Sequence, residues 1–368
     1  MRWFYSLPPS RPTGVADVLA VAYQRYRRSR LRRLWLLLTL LPLLAALILF
    51  SGLVGDNPDL FWRQLQINDA LPHLIVWQIR MPRLLGALLA GGGLGLAGLV
   101  LQVVLKNPLA APTTLGIAQG AAFGAALAIT LAGRAEEDLN TLTGFLVALG
   151  GHANLIAGSA FVFSLLTTLV IVFLGRLRRA GPETIILAGV ALSSLFLAGT
   201  TFLQYFADDT RLAMIVHWTF GDLSRGSWPE LIRLALVIVP AALYFFSCRF
   251  SYNALAAGDE VAFSLGVNVT RLRLISMLAA ALVTAMIVAF FGILGFVGLV
   301  APHMSRRLVG ADNSLLLPLS MVMGSLVLLG ADLFGSLVLD PVALPAGVVT
   351  AFLGTPVFLL LLFGGDRG

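Results

Sequence analysis

Apolar residues in this chain fall in long unbroken runs separated by short polar stretches, the pattern of helices that cross a bilayer. The runs extend over about Leu34 to Val54, Leu84 to Leu105, Leu115 to Ala132, Leu155 to Leu174, Thr184 to Phe206 and Leu231 to Phe246. Four more follow: one after Arg273 ending near Phe291, a short one at Gly295 to Arg307, then Leu315 to Leu333 and Leu344 to Phe363. Most approach the ~20 residues that span the hydrocarbon core. The expectation is an all-α polytopic membrane protein with about ten transmembrane helices. The weak alternation of a membrane β-barrel is missing. The apolar segment Thr141 to Gly151 is too short to span and reads as re-entrant or interfacial.

Charge gives the runs a direction. Arg25, Arg27, Arg28, Arg30, Arg32 and Arg33 precede the first run, and Arg176, Arg178, Arg179, Arg249, Arg271 and Arg273 recur at alternate crossings. Asp56, Asp59, Asp69, Glu136, Glu137 and Asp138 fall at the others. Basic residues mark the cytoplasmic side, so both termini are expected in the cytoplasm of a cell whose inner membrane holds the protein. Residues 1–33 read as a basic cytoplasmic extension and 34–368 as the transmembrane domain. The run at Leu34 is too long for a signal-peptide core, and the basic cluster is topological, with no nucleic-acid partner expected.

Composition agrees. Hydrophobic residues make up 58% and charged residues 12% of 368, with a net charge of +7; soluble domains carry about 25% charged residues. Cys248 is the lone cysteine and forms no internal disulfide. His73, His152, His217 and His303 have no metal-ligand spacing, so no metal site is expected. The only lysine, Lys106, is followed by Asn107-Pro108, so a phosphate-binding Gly-Lys-Ser/Thr loop is excluded. Yet a polar segment, Leu255 to Val269, interrupts the apolar pattern in a form suited to docking a soluble partner. Together these suggest a pore whose energy source is a separate polypeptide. Glycines crowd the second run (Gly91, Gly92, Gly93, Gly95, Gly98) and the third (Gly116, Gly120, Gly124), where they permit close helix packing.

Several segments carry a family resemblance. They are Trp77-Gln78-Ile79-Arg80-Met81-Pro82-Arg83, Gln102, Asn107-Pro108-Leu109-Ala110-Ala111-Pro112 and Leu115-Gly116. Further along come Leu187-Ala188-Gly189-Val190-Ala191-Leu192, Trp218 with Gly221, Gly295 to His303, Ala331-Asp332 and Leu344 to Thr350. From Trp77 onward the chain resembles FecCD-type permease subunits of iron-chelate, haem and cobalamin ABC importers. The resemblance implies a cobalamin-importer-permease-like fold and a homodimer with the path between the copies. It also implies two ATP-binding cassette subunits that use the ATP, an external substrate-binding protein, and no cofactor bound by this chain.

Site residues follow from it one by one. Ala257, Gly258, Asp259, Glu260, Ala262, Phe263, Leu265 and Gly266 match the ATPase-coupling segment. In physical terms Asp259 and Glu260 could cap a helix, Ala262 and Phe263 could present a small apolar face, and Gly266 permits a turn. Arg80 and Arg83 match positions that dock the binding protein; a third basic position of relatives is Ser336 here. Asn107 and Leu109 match the cytoplasmic gate, whereas Gly181-Pro182-Glu183 departs from a second gate. Ser194, Thr200, Thr201, Gln204, Tyr205, Thr350 and Thr355 are path candidates, with bonding to their own helix carbonyls as the plainer role of the hydroxyls. The expected cargo is an iron(III)-siderophore, with haem or cobalamin as alternatives. An ion-coupled secondary transporter is the competing class; it needs acidic residues within the bilayer, and Asp332 is the main candidate. A membrane enzyme lacks a nucleophile–base pair.

Overall fold

The computed structural model describes residues 42–47, 74–135, 142–177, 182–338 and 343–363, and every regular element among them is helical. The basic extension, most of the first apolar run and the acidic loop residues 136–138 lie outside these residues. A π-helical turn at Ile75–Arg80 leads into α1 (Met81–Val104). Then come α2 (Ile117–Ala135), α3 (Leu142–Leu177), α4 (Pro182–Tyr205), α5 (Asp209–Thr219) and α6 (Trp228–Ser247). The short pair α7 (Arg249–Ala257) and α8 (Asp259–Ser264) precedes α9 (Val269–Phe291), α10 (Val297–Val309), α11 (Asn313–Val338) and α12 (Ala346–Phe363). Among the described residues six stretches are long and apolar enough to cross a membrane: 75–104, 151–175, 183–205, 228–247, 269–291 and 313–338. Shorter apolar helices cover 117–132 and 346–360.

Two elements add detail that the apolar pattern does not carry. The segment expected to be re-entrant is the first part of α3, which continues into the span through Gly151. Gly151 sits at φ 74 and ψ 161, a region open to glycine alone, so a short apolar helix and the span at 151–175 meet there at a kink. The polar stretch after α4 contains a helix of its own. Asp208 caps α5 by accepting a hydrogen bond from the Arg211 amide at 2.8 Å, and the Arg225 guanidinium donates to the His217 carbonyl at 2.8 Å near its end.

α1 is the hub. It packs against α6, α9, α10 and α11, and 83% of its most apolar window is buried, against 17% for α4. The reason lies in its glycines. Gly91 and Gly95 lie on the backbone of Gly324 and Ser320 in α11, and Gly98 lies on Gly298 of α10. With no Cβ in the way, these backbones meet directly and gain dispersion contacts, the main attraction available where lipid is as apolar as leucine. A second such contact closes one end of the bundle. The Gly347 amide donates to the Gly221 carbonyl at 2.8 Å, and Gly221 (φ 67) and Gly292 (φ 78) both take left-handed conformations there.

A methyl group on Gly98 would overlap the Gly298 carbonyl, whereas one on Gly158 meets nothing within 4 Å. Gly98→Ala is therefore expected to destabilise the bundle by about 1–3 kcal/mol, as overpacking does, and Gly158→Ala to be silent. Thermal unfolding in detergent, followed by size-exclusion recovery, tests this; equal recovery of the two variants would refute the close-contact account.

Candidate functional site

The end of the bundle that carries Arg249, Arg271 and Arg273 is formed by α7 and α8. Gly258, at φ 138, lets one helix end and the next begin without a linker. The expected capping role of Asp259 and Glu260 is corrected: the N-cap of α8 is Gly258, no side chain bonds there, and both carboxylates lie in the first turn. Asp259 instead receives the Lys106 ammonium at 2.6 Å and the Arg273 guanidinium at 3.3 Å. The hydrogen bond from Lys106 holds the Asp259 carboxyl below the usual aspartate range; partial burial opposes this and the Arg273 charge adds to it. A depressed folded pKa stabilises above the ordinary aspartate range and ceases to do so as pH falls through it.

Ala262 also departs from expectation. It is buried completely, because successive helical residues are about 100° apart and its side of the turn faces the protein. The exposed apolar surface is Phe263 (79% exposed) and Leu265 (68%), joined by Val261 and, from α7, Phe250. Val261 and Phe250 were not singled out in the sequence; the i, i+4 spacing of Val261 and Leu265 was the available signal. Gly266, at φ 81, closes the turn with its amide on the Phe263 carbonyl at 2.9 Å.

The turn after α1 lies beside this surface. Its end is tied back by the Lys106 amide on the Val103 carbonyl and the Asn107 amide on the Gln102 carbonyl, at 3.2 and 3.1 Å. The Asn107 Oδ1 accepts the Leu109 amide at 2.8 Å, and the Leu109 side chain stands out, 44% exposed.

On α4, Ser194, Thr201 and Tyr205 come together with Leu197, Ala198 and Phe202 along an open groove of about 580 Å³. The Ser194 and Thr201 hydroxyls donate to the Val190 and Leu197 carbonyls one turn back, at 3.1 and 3.0 Å. Each such carbonyl already serves the helix, so a back-bonded hydroxyl presents its lone pairs outward. Gln204 is half-buried and Thr355, on α12, is exposed. Thr200 and Thr350 are buried and bonded to Phe196 and Gly347, so these two lie off the groove. A second hollow, about 310 Å³, lies behind α5 between Asn154, His217, Arg225 and Glu230. His303 packs edge-on against Phe358.

At the opposite end of α1, Arg83 grips Asp332 of α11. Its Nη2 donates to Oδ1 at 2.9 Å and its Nε to both carboxylate oxygens at 3.1 and 3.0 Å. Asp332 is nearly buried, with 8% of its side chain exposed. The carboxylate that an ion-coupled carrier would call on is therefore engaged. Arg80 ends the π-turn one helical step away and is half-buried. Below it Trp228 donates its indole NH to the Trp77 carbonyl at 2.8 Å and stacks on that ring.

Comparison with known proteins agrees with this architecture. The sequence profile of the FecCD transport family matches residues 39–364. A Methanocaldococcus jannaschii protein named as an ABC transporter permease is 48% identical, over 79% of this chain and 82% of that one. The vitamin B12 import system permease protein of Vibrio cholerae is 37% identical, over 80% of this chain and 84% of its own length. A solved structure described as an inward-facing conformation of a metal-chelate type ABC transporter superposes with a TM-score of 0.75 at 30% identity, covering 90% of this chain and 99% of that one.

Removing either partner of the Arg83–Asp332 pair strands a largely desolvated charge. Asp332→Ala and Arg83→Ala are each expected to cost about 1–3 kcal/mol, less than a fully buried pair because Arg83 reaches water. The double variant should lose less than the sum. Thermal unfolding of the three proteins measures it, and strictly additive losses would show the two groups to be uncoupled.

Proposed function

The chain belongs to the FecCD transport family as an ABC importer permease subunit, and from that premise we propose that two copies form a pore for an iron(III)-siderophore. The groove on α4 carries this reading. Its lining of hydroxyls, small residues and aromatic rings offers no charge that would hold a bulky, screened chelate in place. Ser194, Thr201, Gln204, Tyr205 and, from α12, Thr355 form the wall of the path. Thr200 and Thr350 brace it from behind. The exposed α4 surface meets the second copy, which would shield it from water in the path and from lipid on either side.

ATP is used by two partner ATP-binding subunits, which seat on Phe263, Leu265, Val261 and the first turn of α8. A groove on the partner receives the Phe263 ring, while Asp259 and Glu260 set the charge around it. Residues 255–269 are thus the coupling segment of the permease domain 34–368. Both termini lie on the cytoplasmic side, and residues 1–33 precede the domain there. At the outer end a binding protein presents carboxylates to Arg80 and to the exposed edge of Arg83, whose Nε and Nη2 also hold Asp332, and guanidinium groups suit such partners. Alternating access follows: closure of the ATP-binding subunits draws the two α8 helices together, and the Asn107–Leu109 turns open or close the exit. Haem and cobalamin remain the competing cargoes, the latter favoured by the name of the V. cholerae relative.

The test is ATP hydrolysis in lipid nanodiscs by this chain with its ATP-binding subunit and binding protein. A ferric siderophore on the binding protein is expected to raise turnover severalfold, with haem and cobalamin inert. Glu260→Arg should abolish the stimulation by placing a cation in the coupling surface. Stimulation by cobalamin or haem alone would replace the siderophore, and indifference to every loaded binding protein would overturn the importer reading.

A further inference from the structure

The single lysine of the chain occupies an unusual position. Lys106 is one of only two non-glycine residues among those described with positive φ, at 49°. A side chain with Cβ disfavours that region, and asparagine or glycine are its ordinary occupants. The left-handed twist is what carries the chain from the end of α1 into the Asn107–Leu109 turn. It also directs the ammonium across to the first residue of α8, where it meets Asp259 at 2.6 Å.

Arg273, in the first turns of α9, completes the arrangement. Its Nε donates to the Val104 carbonyl at 2.7 Å, and its Nη2 donates to both oxygens of Asp259 at 3.3 Å. One carboxylate on α8 is thus shared by two cations, one in the turn after α1 and one bound to the last residue of α1. α8 packs on α7 and α9, and this charge cluster joins it to the turn after α1 as well.

As a static brace the cluster would be weak. Lys106 and Asp259 are 36% and 48% exposed, and ion pairs this wet contribute little to stability. The two cations differ in what they permit. The Arg273 guanidinium is a planar fork pinned to the Val104 carbonyl, whereas lysine is a point charge on a flexible stem that can follow a moving partner.

We propose that the Lys106–Asp259 pair is the tether through which displacement of α8 reaches the cytoplasmic gate turn, with Arg273 as the fixed strut against which it works. Lys106 acts here as a positioning residue, through its bond to Asp259. The proposal rests on the reading of α8 as the ATPase-docking helix and of Asn107 and Leu109 as the gate.

The experiment uses the full complex in nanodiscs, in a Cys248→Ser background with a spin label at Leu109→Cys, and reads the distance between the two gate turns by pulsed dipolar spectroscopy before and after trapping with ATP and vanadate. Lys106→Met keeps the stem and removes the charge. It is expected to retain the ATP-binding subunits and their hydrolysis rate while losing at least half of the ATP-driven distance change. Lys106→Arg should restore the change. Asp259→Asn should lose it too, and the double variant Lys106→Met/Asp259→Asn should be no worse than Asp259→Asn. Phe263→Ala, run alongside, should release the ATP-binding subunits. A full distance change in Lys106→Met, with Phe263→Ala released, overturns the tether alone. Retention of the subunits and of the full distance change by Phe263→Ala overturns the docking reading and the tether with it.

Discussion

The rest of the structure depends on backbone meeting backbone along α1. A membrane helix has no hydrophobic gain from leaving lipid for protein, so association must come from contacts denser than lipid can offer. Gly91, Gly95 and Gly98 supply them by admitting the main chains of α11 and α10. The consequence is a fixed centre. At these three glycines α1 meets α10 and α11 with no side chain between the backbones, so side-chain rearrangement cannot alter the spacing there. Motions that serve transport must then occur in elements that lack this contact.

Polar groups within the bundle are handled consistently with that rigidity. The hydroxyls of Ser164, Thr284, Ser305 and Ser325 donate to carbonyls of their own or a neighbouring helix. Asp332, the carboxylate most deeply placed in a span, is satisfied by three hydrogen bonds from Arg83. Ser164 ties α3 to α2 and Ser325 ties α11 to α1, whereas Thr284 and Ser305 bond within α9 and α10. In lipid an unpaired polar atom costs more than in water, so the bonds of Ser164, Ser325 and Asp332, which cross between helices, make separation of those helices less favourable. Arg83 and Asp332 thereby lock one end of the same interface that the glycines lock in the middle.

How much of this could be read from residues alone follows from which physics each feature obeys. Spans were legible because bilayer thickness dictates apolar length, and the six long helices overlie expected runs. The glycine contacts were legible as a class, since small residues at helical spacing have one common use. The kink at Gly151 was not, because the apolar pattern is the same whether a helix bends or turns back. The burial of Ala262 and the exposure of Val261 depend on the phase of a six-residue helix, which a short segment cannot reveal by periodicity. The partner of Asp259 was out of reach for another reason. Lys106 lies more than a hundred residues away in sequence, and its left-handed backbone is a tertiary outcome that no local rule assigns to lysine. The Arg83–Asp332 pair has the same long-range character: both residues stood out individually, and only the fold joins them.

The contrast between centre and edge explains where function can reside. α4 buries 17% of its most apolar window where α1 buries 83%. Its outward side chains include Leu187, Leu195, Phe202 and Tyr205. At the other extreme α8 is six residues long, too short to be stable by itself, and holds Phe263 and Leu265 in the open. A six-residue helix that starts at a positive-φ glycine has little of its own to resist a pull on its exposed ring, whereas α1 is held along its length by backbone contact. The difference must be taken up between them, at the turn of Lys106 to Leu109. That turn is free of glycine and carries Pro108, which fixes φ, so it is stiffer than a glycine turn would be. A hub locked by backbone contact, a short helix with an exposed ring and a proline-bearing turn between them thus meet at one end of the bundle.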